Sequence, residues 1–136
     1  MENRISQYAP PLYAVLRIVA GLLFALHGSQ KLFGVPGGGD SVLLFSLLGL
    51  AGVVELSCGL LIAIGLFARI TAFLASGQMS VAYFMAHLPL GLVPSLNKGE
   101  TALLFCFVFL YIFGQGAGIW SLDANRRQRP HSITNR

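Results

Sequence analysis

Four long stretches of almost uncharged sequence constrain this chain more than any other feature. They cover residues 12–33, 42–68, 70–88 and 101–119. Each is long enough to cross about 30 Å of hydrocarbon as a helix that rises about 1.5 Å per residue. With 55% hydrophobic and 10% charged residues, the chain is too apolar for an ordinary soluble surface. The sequence therefore predicts an all-α integral membrane four-helix bundle, a single domain over residues 1–136 with no separate catalytic domain.

The basic residues predict which side of the membrane each loop faces. Nine Lys and Arg stand against five Asp and Glu, which gives a net charge of +4. Placing both termini in the cytoplasm puts six arginines inside and two lysines outside, as the excess of basic residues in cytoplasmic loops requires. The inner residues are Arg4, Arg69, Arg126, Arg127, Arg129 and Arg136, and the outer ones are Lys31 and Lys98. We therefore expect a basic cytoplasmic tail over 124–136, a retained first span and no binding of nucleic acid.

The two cysteines, Cys58 and Cys106, both lie inside predicted spans. Along the helices their depths differ by roughly 16 Å at ~1.5 Å per residue, whereas a disulfide requires Cα atoms within ~7 Å of each other. Two lone cysteines also fall short of a zinc or iron–sulfur ligand set. We expect both thiols to stay reduced and no metal site to form.

The first span carries a stripe that mixes charged and small residues. At 100° per residue, Arg17, Gly21, Gly28 and Lys31 share one face of the helix, and His27 lies at its edge. Small residues let helix backbones approach closely inside a membrane. The stripe is therefore expected to face other helices and not lipid.

A lone carboxylate, Glu55, lies near the middle of the second span. A charge at that depth costs about 2.5–3.5 kcal/mol or more unless it is paired. Arg17 lies roughly 9 Å below it along the axis at ~1.5 Å per residue, so we predict a buried Arg17–Glu55 ion pair. This pair has two interpretations, a functional site and a structural lock that fixes the order of the helices.

A second polar group lies towards the predicted outer end of the bundle. His27 is about two turns below the outer surface, His87 ends the third span, and Gln78 lies within that span. With the neighbouring charges they form a candidate intramembrane binding site. Its candidate residues are Arg17, His27, Lys31, Glu55, Gln78, His87 and Glu100.

Each of these residues also has a purely structural interpretation. The histidines are then hydrogen-bonded groups near a surface, and Lys31 and Lys98 extend to the interface. Glu100 would cap a helix, because Asn97 precedes it by three residues as in a capping box. Haem ligation by His27 and His87 is disfavoured, since their depths differ by roughly 8 Å at ~1.5 Å per residue. At the start of the second span, we predict a cap from Asp40 or Ser41.

The order of motifs along the chain resembles the DoxX family. The motifs are Arg17 with Gly21; His27-Gly28-x-x-Lys31-Leu32-Phe33-Gly34; Glu55 with Gly59 and Gly65 before Arg69; Met79 to His87; Asn97-Lys98-Gly99-Glu100; and Gly116-x-Gly118-x-Trp120-Ser121-Leu122-Asp123. One departure is Lys98, where the family more often has glycine. The resemblance implies a multi-pass protein of the bacterial cytoplasmic membrane. Members are named for association with quinol oxidase or thiosulfate:quinone oxidoreductase, and others are linked with oxidative or quinone stress.

Three classes of function follow from these observations. The first is an accessory membrane subunit of a quinone-linked redox system, whose polar interior holds a quinone head group or a small acid. No self-contained catalytic site is visible, so a quinone is the only cofactor expected, and the expected partners are the lipid bilayer, a redox-enzyme subunit and further copies of the chain. The second is a non-enzymatic assembly or interaction protein. The third is a small-solute or proton-handling protein, for which an intramembrane carboxylate is the usual device.

Overall fold

The computed structural model describes residues 5–127. This part of the chain is all-helical, with no strands, which confirms the predicted fold class. It has five α-helices where the sequence predicted four. They are α1 (Ala9–Phe33), α2 (Leu47–Ile64), α3 (Ala68–Ala82), α4 (Glu100–Gln115) and a short α5 (Leu122–Arg127). A π-helical turn, Tyr83–His87, follows α3, and a 3-10 turn, Leu88–Leu90, continues past Pro89, where the sequence predicted an end of the third span at residue 88.

Two of the helices, α1 and α2, are long and apolar enough to cross a membrane. The outward faces of the four long helices carry large apolar side chains that are about half exposed or more, as a surface in contact with lipid requires. Examples are Leu23 on α1, Leu50 on α2, Phe73 on α3 and Leu104 on α4. Arg17, Gly21 and Gly28 of the predicted stripe are buried, Lys31 is half-buried, and His27 at its edge is exposed.

Glycines hold α1 and α2 together as an antiparallel pair. A Cβ atom at Gly21 would lie 2.6 Å from the carbonyl oxygen of Gly59, and one at Gly28 would lie 2.6 Å from that of Gly52. These distances leave no room for any side chain, so the two backbones touch. Arg17, Gly21 and Gly28 thus pack against a helix and not against lipid, which confirms the prediction for this stripe.

The second helix begins later than the sequence predicted. It starts at Leu47 and not near residue 42, and its cap is Ser46, whose hydroxyl accepts a hydrogen bond from the amide of Gly49 at 3.0 Å. The predicted cap from Asp40 or Ser41 is therefore wrong. Val42 donates its amide to the carbonyl of Lys31 at 2.9 Å, which ties the preceding segment to the end of α1 and delays the helix.

The start of α4 also differs from the prediction. Gly99 occupies the N-cap position with no side-chain cap, so the predicted Asn97–Glu100 capping box does not form. Asn97 is buried within the loop, where its amide donates to Gly91 at 2.7 Å and its oxygen accepts from Gly99 at 2.8 Å. It shapes the loop before α4, and Glu100 is the exposed first residue of that helix.

The core lies where α1 and α2 meet α3 and α4. Phe24, Ile62, Phe109 and Ile112 are fully buried, and the rings of Phe24 and Phe109 pack edge to face with centroids 4.7 Å apart. Alanines on the inward face of α3 keep that helix close to the others. This packing separates two polar regions of the bundle, one around Arg17 and one around Glu55.

Candidate functional site

The predicted Arg17–Glu55 ion pair does not form. The Arg17 guanidinium is fully buried and donates to the carbonyl oxygens at the end of α2, Ile62 at 2.6 Å and Ala63 at 2.7 Å. It also donates to Trp120 at 2.8 Å. Because Ile62 and Ala63 lie seven and eight residues beyond Glu55, Arg17 sits about 10–12 Å from that level along the helix axis. Arg17 therefore satisfies carbonyls that a helix end leaves unpaired.

The same end of the bundle is held by three further cross-links. The Tyr13 hydroxyl donates to the carbonyl of Gly116, and the Arg69 guanidinium donates to Phe113 at 2.7 Å. The Asp123 carboxylate accepts from the amides at the start of α3, those of Phe67 at 3.1 Å and Ala68 at 3.0 Å. The segment from Gly116 to Asp123 is thus fixed against α1 and the start of α3. This network is a structural lock, and Arg17 belongs to it.

Glu55 instead pairs with two other candidates. Its Oε1 atom forms an ion pair with the Lys31 ammonium and accepts a hydrogen bond from the Gln78 amide at 3.0 Å. The Gln78 amide also donates to the carbonyl of Ala51 at 3.1 Å. Three helices, α1, α2 and α3, therefore meet at one carboxylate.

Two acceptor atoms of this trio have no partner within the described residues. They are Glu55 Oε2 and Gln78 Oε1, and both are buried. The Glu55 side chain is only 1% exposed. A buried acceptor without a donor costs about 1–3 kcal/mol, and more for a charged group. An arrangement of this kind favours a bound group that donates hydrogen bonds.

A cavity of about 230 Å³ opens beside the ion pair. Its polar lining residues come from α1, α2, the π-helical turn, the loop before α4 and the start of α4, and they are His27, Lys31, Glu55, His87, Lys98 and Thr101. Its other walls are apolar and are formed by Phe24, Met79, Ala82, Ala102 and Phe105. Four of the six polar residues are among the candidates that the sequence offered. Glu100 does not line this cavity, and Gln78 reaches it only through Glu55.

The two histidines are oriented differently in this cavity. His87 Nδ1 lies 3.0 Å from the carbonyl oxygen of Asn97, which can only accept, so this nitrogen carries the proton. In the neutral ring Nε2 is then an acceptor. His27 meets the edge of the Phe105 ring with centroids 5.8 Å apart. His87 is therefore a hydrogen-bonded residue, as the structural interpretation of the histidines has it. Within residues 5–127, no group of three or more His, Cys, Asp or Glu side chains could hold a metal ion.

The cysteines take no part in the cavity. Cys58 is buried, Cys106 is half-buried, and both are free thiols. The Ser76 hydroxyl donates to the Cys106 carbonyl at 2.8 Å, and its oxygen lies 3.5 Å from the Cys106 sulfur. Both cysteines serve as packing residues between helices.

Comparison with known proteins identifies the family. The model of the DoxX family matches residues 12–88, which is more than half of the chain. The chain belongs to the DoxX family. This match covers α1, α2 and α3, and with them the Lys31–Glu55–Gln78 trio. The DoxX protein described here is also 39% identical over 127 residues to an uncharacterized protein of Haemophilus influenzae, across 89% of this chain and 95% of the relative. No solved structure matches.

Lys98 lines the cavity from a backbone conformation that favours glycine. Its φ is +59°, in the left-handed region that glycine adopts without strain. The lysine adds an ammonium group to the cavity lining.

Proposed function

We propose that this DoxX protein binds a quinone head group in the cavity beside Glu55, as an accessory membrane subunit of a quinone-linked redox system. The observation that carries the proposal is the Glu55 carboxylate, held by Lys31 and Gln78 with its second oxygen unpaired. We also propose the bacterial inner membrane as its location, with both termini cytoplasmic.

The dimensions of the cavity suit a ring and not a whole lipid. Ligand pockets commonly enclose ~300–1,000 Å³, and this cavity is smaller, at about 230 Å³. Phe24 and Phe105 supply flat apolar walls for a ring. An isoprenoid tail would leave between the helices into the hydrocarbon, since the outward faces of the bundle are apolar.

The polar groups offer both donors and acceptors to such a ring. Lys31 and Lys98 donate hydrogen bonds in this cavity, His27 donates or accepts them, and Glu55 accepts them. A quinone carries two electrons and two protons when it is reduced. The unpaired oxygen of Glu55 favours the hydroxyl-bearing reduced form, because a hydroxyl donates and a quinone carbonyl cannot.

The proposal also includes a redox-enzyme subunit that exchanges electrons with the bound quinone. The DoxX resemblance relates the chain to subunits named for quinol oxidase and thiosulfate:quinone oxidoreductase. In this role the DoxX protein holds the head group and Glu55 accepts a hydrogen bond from it, while the two electrons and the two protons pass to or from a redox-enzyme subunit. A complex of the DoxX protein with that subunit would bring the quinone and the redox enzyme together in one membrane.

The quinone that copurifies with the protein tests this proposal. The parent and a Glu55→Gln variant are purified in a mild detergent, and their bound quinones are measured by mass spectrometry. We expect quinone with the parent and a loss of about tenfold or more in the variant, since a hydrogen bond to a charged group contributes ~1.5–3 kcal/mol. Glu100→Gln makes the same chemical change outside the cavity and should retain quinone.

The contrary result supports a different function. If the parent carries no quinone, and Glu55→Gln lowers only its melting temperature, then the Lys31–Glu55–Gln78 trio is a lock between three helices. The DoxX protein would then be the assembly protein of the second hypothesis.

A further inference from the structure

A second cavity region lies at the opposite end of the bundle from Glu55. It consists of two adjoining cavities of about 360 and 370 Å³, next to α5 and the turn between α2 and α3. Both are lined by Arg69, Ala117, Asp123 and Arg127, and one also by Arg126. We call Arg69, Arg126 and Arg127 the inner arginine site.

The charge of this site is strongly positive and largely uncompensated. The one carboxylate in the lining, Asp123, accepts hydrogen bonds from the amides of Phe67 and Ala68. The Arg127 side chain has no hydrogen bond and no ion pair with any of residues 5–127. Three guanidinium groups around a concave surface match a phosphate group, which accepts planar, paired hydrogen bonds from arginine.

The surroundings of the site are apolar and exposed. Phe67, Ile70 and Trp120 are 55%, 65% and 63% exposed. The Arg126 guanidinium lies over the Phe67 ring, 5.6 Å from its centroid. Aromatic residues next to arginines at the ends of membrane helices are typical of the level of the lipid head groups. A phosphate bound here would therefore lie where acyl chains can cover Phe67 and Ile70.

We propose that the inner arginine site binds the phosphate group of an anionic phospholipid in the leaflet that faces this end of the bundle. Basic pockets between membrane helices on the cytoplasmic side bind phospholipid head groups in this way. A soluble phosphate compound offers the same charge. The exposed apolar side chains beside the arginines favour the lipid, because they match acyl chains and not water.

The experiment compares lipids and a soluble phosphate on delipidated protein in a neutral detergent. Phosphatidylglycerol, phosphatidylcholine and glycerol phosphate are titrated separately, and bound molecules are counted by native mass spectrometry. We expect phosphatidylglycerol to bind more tightly than phosphatidylcholine. Arg127→Gln should weaken this binding about fivefold, and Arg126→Gln with Arg127→Gln about 25-fold, from ~1 kcal/mol for each basic residue near a surface.

A matched control removes one positive charge from the other end of the bundle. Lys98→Gln should bind phosphatidylglycerol as the parent does, because Lys98 lies beside Glu55 and not at the inner arginine site. Equal binding of phosphatidylcholine and phosphatidylglycerol would overturn the proposal. So would unchanged binding in both arginine variants, or glycerol phosphate that binds as tightly as phosphatidylglycerol.

Discussion

The removal of the buried Arg17 guanidinium should destabilise the fold without affecting Glu55. Three of its hydrogen bonds to backbone carbonyls are 2.6–2.8 Å long. At ~1.5–3 kcal/mol for a bond to a charged group, they sum to about 4.5–9 kcal/mol. The cost of removing the guanidinium from water offsets several kcal/mol of this stabilisation. We therefore expect Arg17→Leu to lower the free energy of unfolding by about 3–5 kcal/mol.

The assay is equilibrium unfolding in mixed micelles of a mild detergent and dodecyl sulfate. Trp120 is the only tryptophan of the chain, and its carbonyl accepts from Arg17. Its fluorescence therefore reports unfolding at the end of the bundle that holds Arg17, while far-ultraviolet circular dichroism reports the loss of all helices. Arg17→Lys keeps the charge but offers fewer and less rigid donors, so it should fall between Leu and the parent.

A double-mutant cycle tests whether Arg17 and Glu55 interact. The structure places them about 10–12 Å apart along the helix axis, so the effects of Arg17→Leu and Glu55→Leu should add within about 0.5 kcal/mol. For Lys31→Met with Glu55→Leu, the same cycle should give a coupling energy of about 0.5–3 kcal/mol. A coupling above about 1 kcal/mol between Arg17 and Glu55 would refute this reasoning, as would an Arg17→Leu protein as stable as the parent.

Three further predictions concern packing, capping and orientation. Gly59→Ala would place a Cβ atom 2.5 Å from the amide nitrogen of Ala25 and should lower the melting temperature in detergent, whereas Gly77→Ala, with no atom within 4 Å, should not. Asp123→Ala should cost about 1 kcal/mol in the same unfolding assay by uncapping α3, and Asp40→Ala in the exposed loop should cost little. A phosphatase fused after Arg136 should be inactive, and strong activity would contradict a cytoplasmic C-terminus.

The sequence predicted the inward face of α1 but not the partners of its charges. Periodicity places Arg17, Gly28 and Lys31 on one face because the helix repeat alone decides it. The partner of a buried guanidinium depends on which carbonyls the folded chain brings near, and every residue carries a carbonyl. The Asp123 cap on α3 escaped prediction for the same reason, because it joins residues more than 50 positions apart.

One signal in the sequence does fix the register between α1 and α2. Glycines occur seven residues apart in both helices, at 21 and 28 and at 52 and 59. Pairing them antiparallel sets Arg17 level with Ala63, away from Glu55. Helical side chains lean towards the N-terminus of their own helix, so Lys31 and Glu55, on antiparallel helices, lean towards each other. This register predicts the observed Lys31–Glu55 pair.

Direct binding of a short-tail quinone tests the central claim most directly. The reduced and oxidised forms are titrated under argon into purified protein, and the heat of binding is measured for the parent, Glu55→Gln and Glu100→Gln. We predict saturable binding by the parent, tighter for the reduced form, with about tenfold or more loss in Glu55→Gln and none in Glu100→Gln. Equal affinity in all three proteins, or no saturable binding to the parent, would contradict a quinone site beside Glu55.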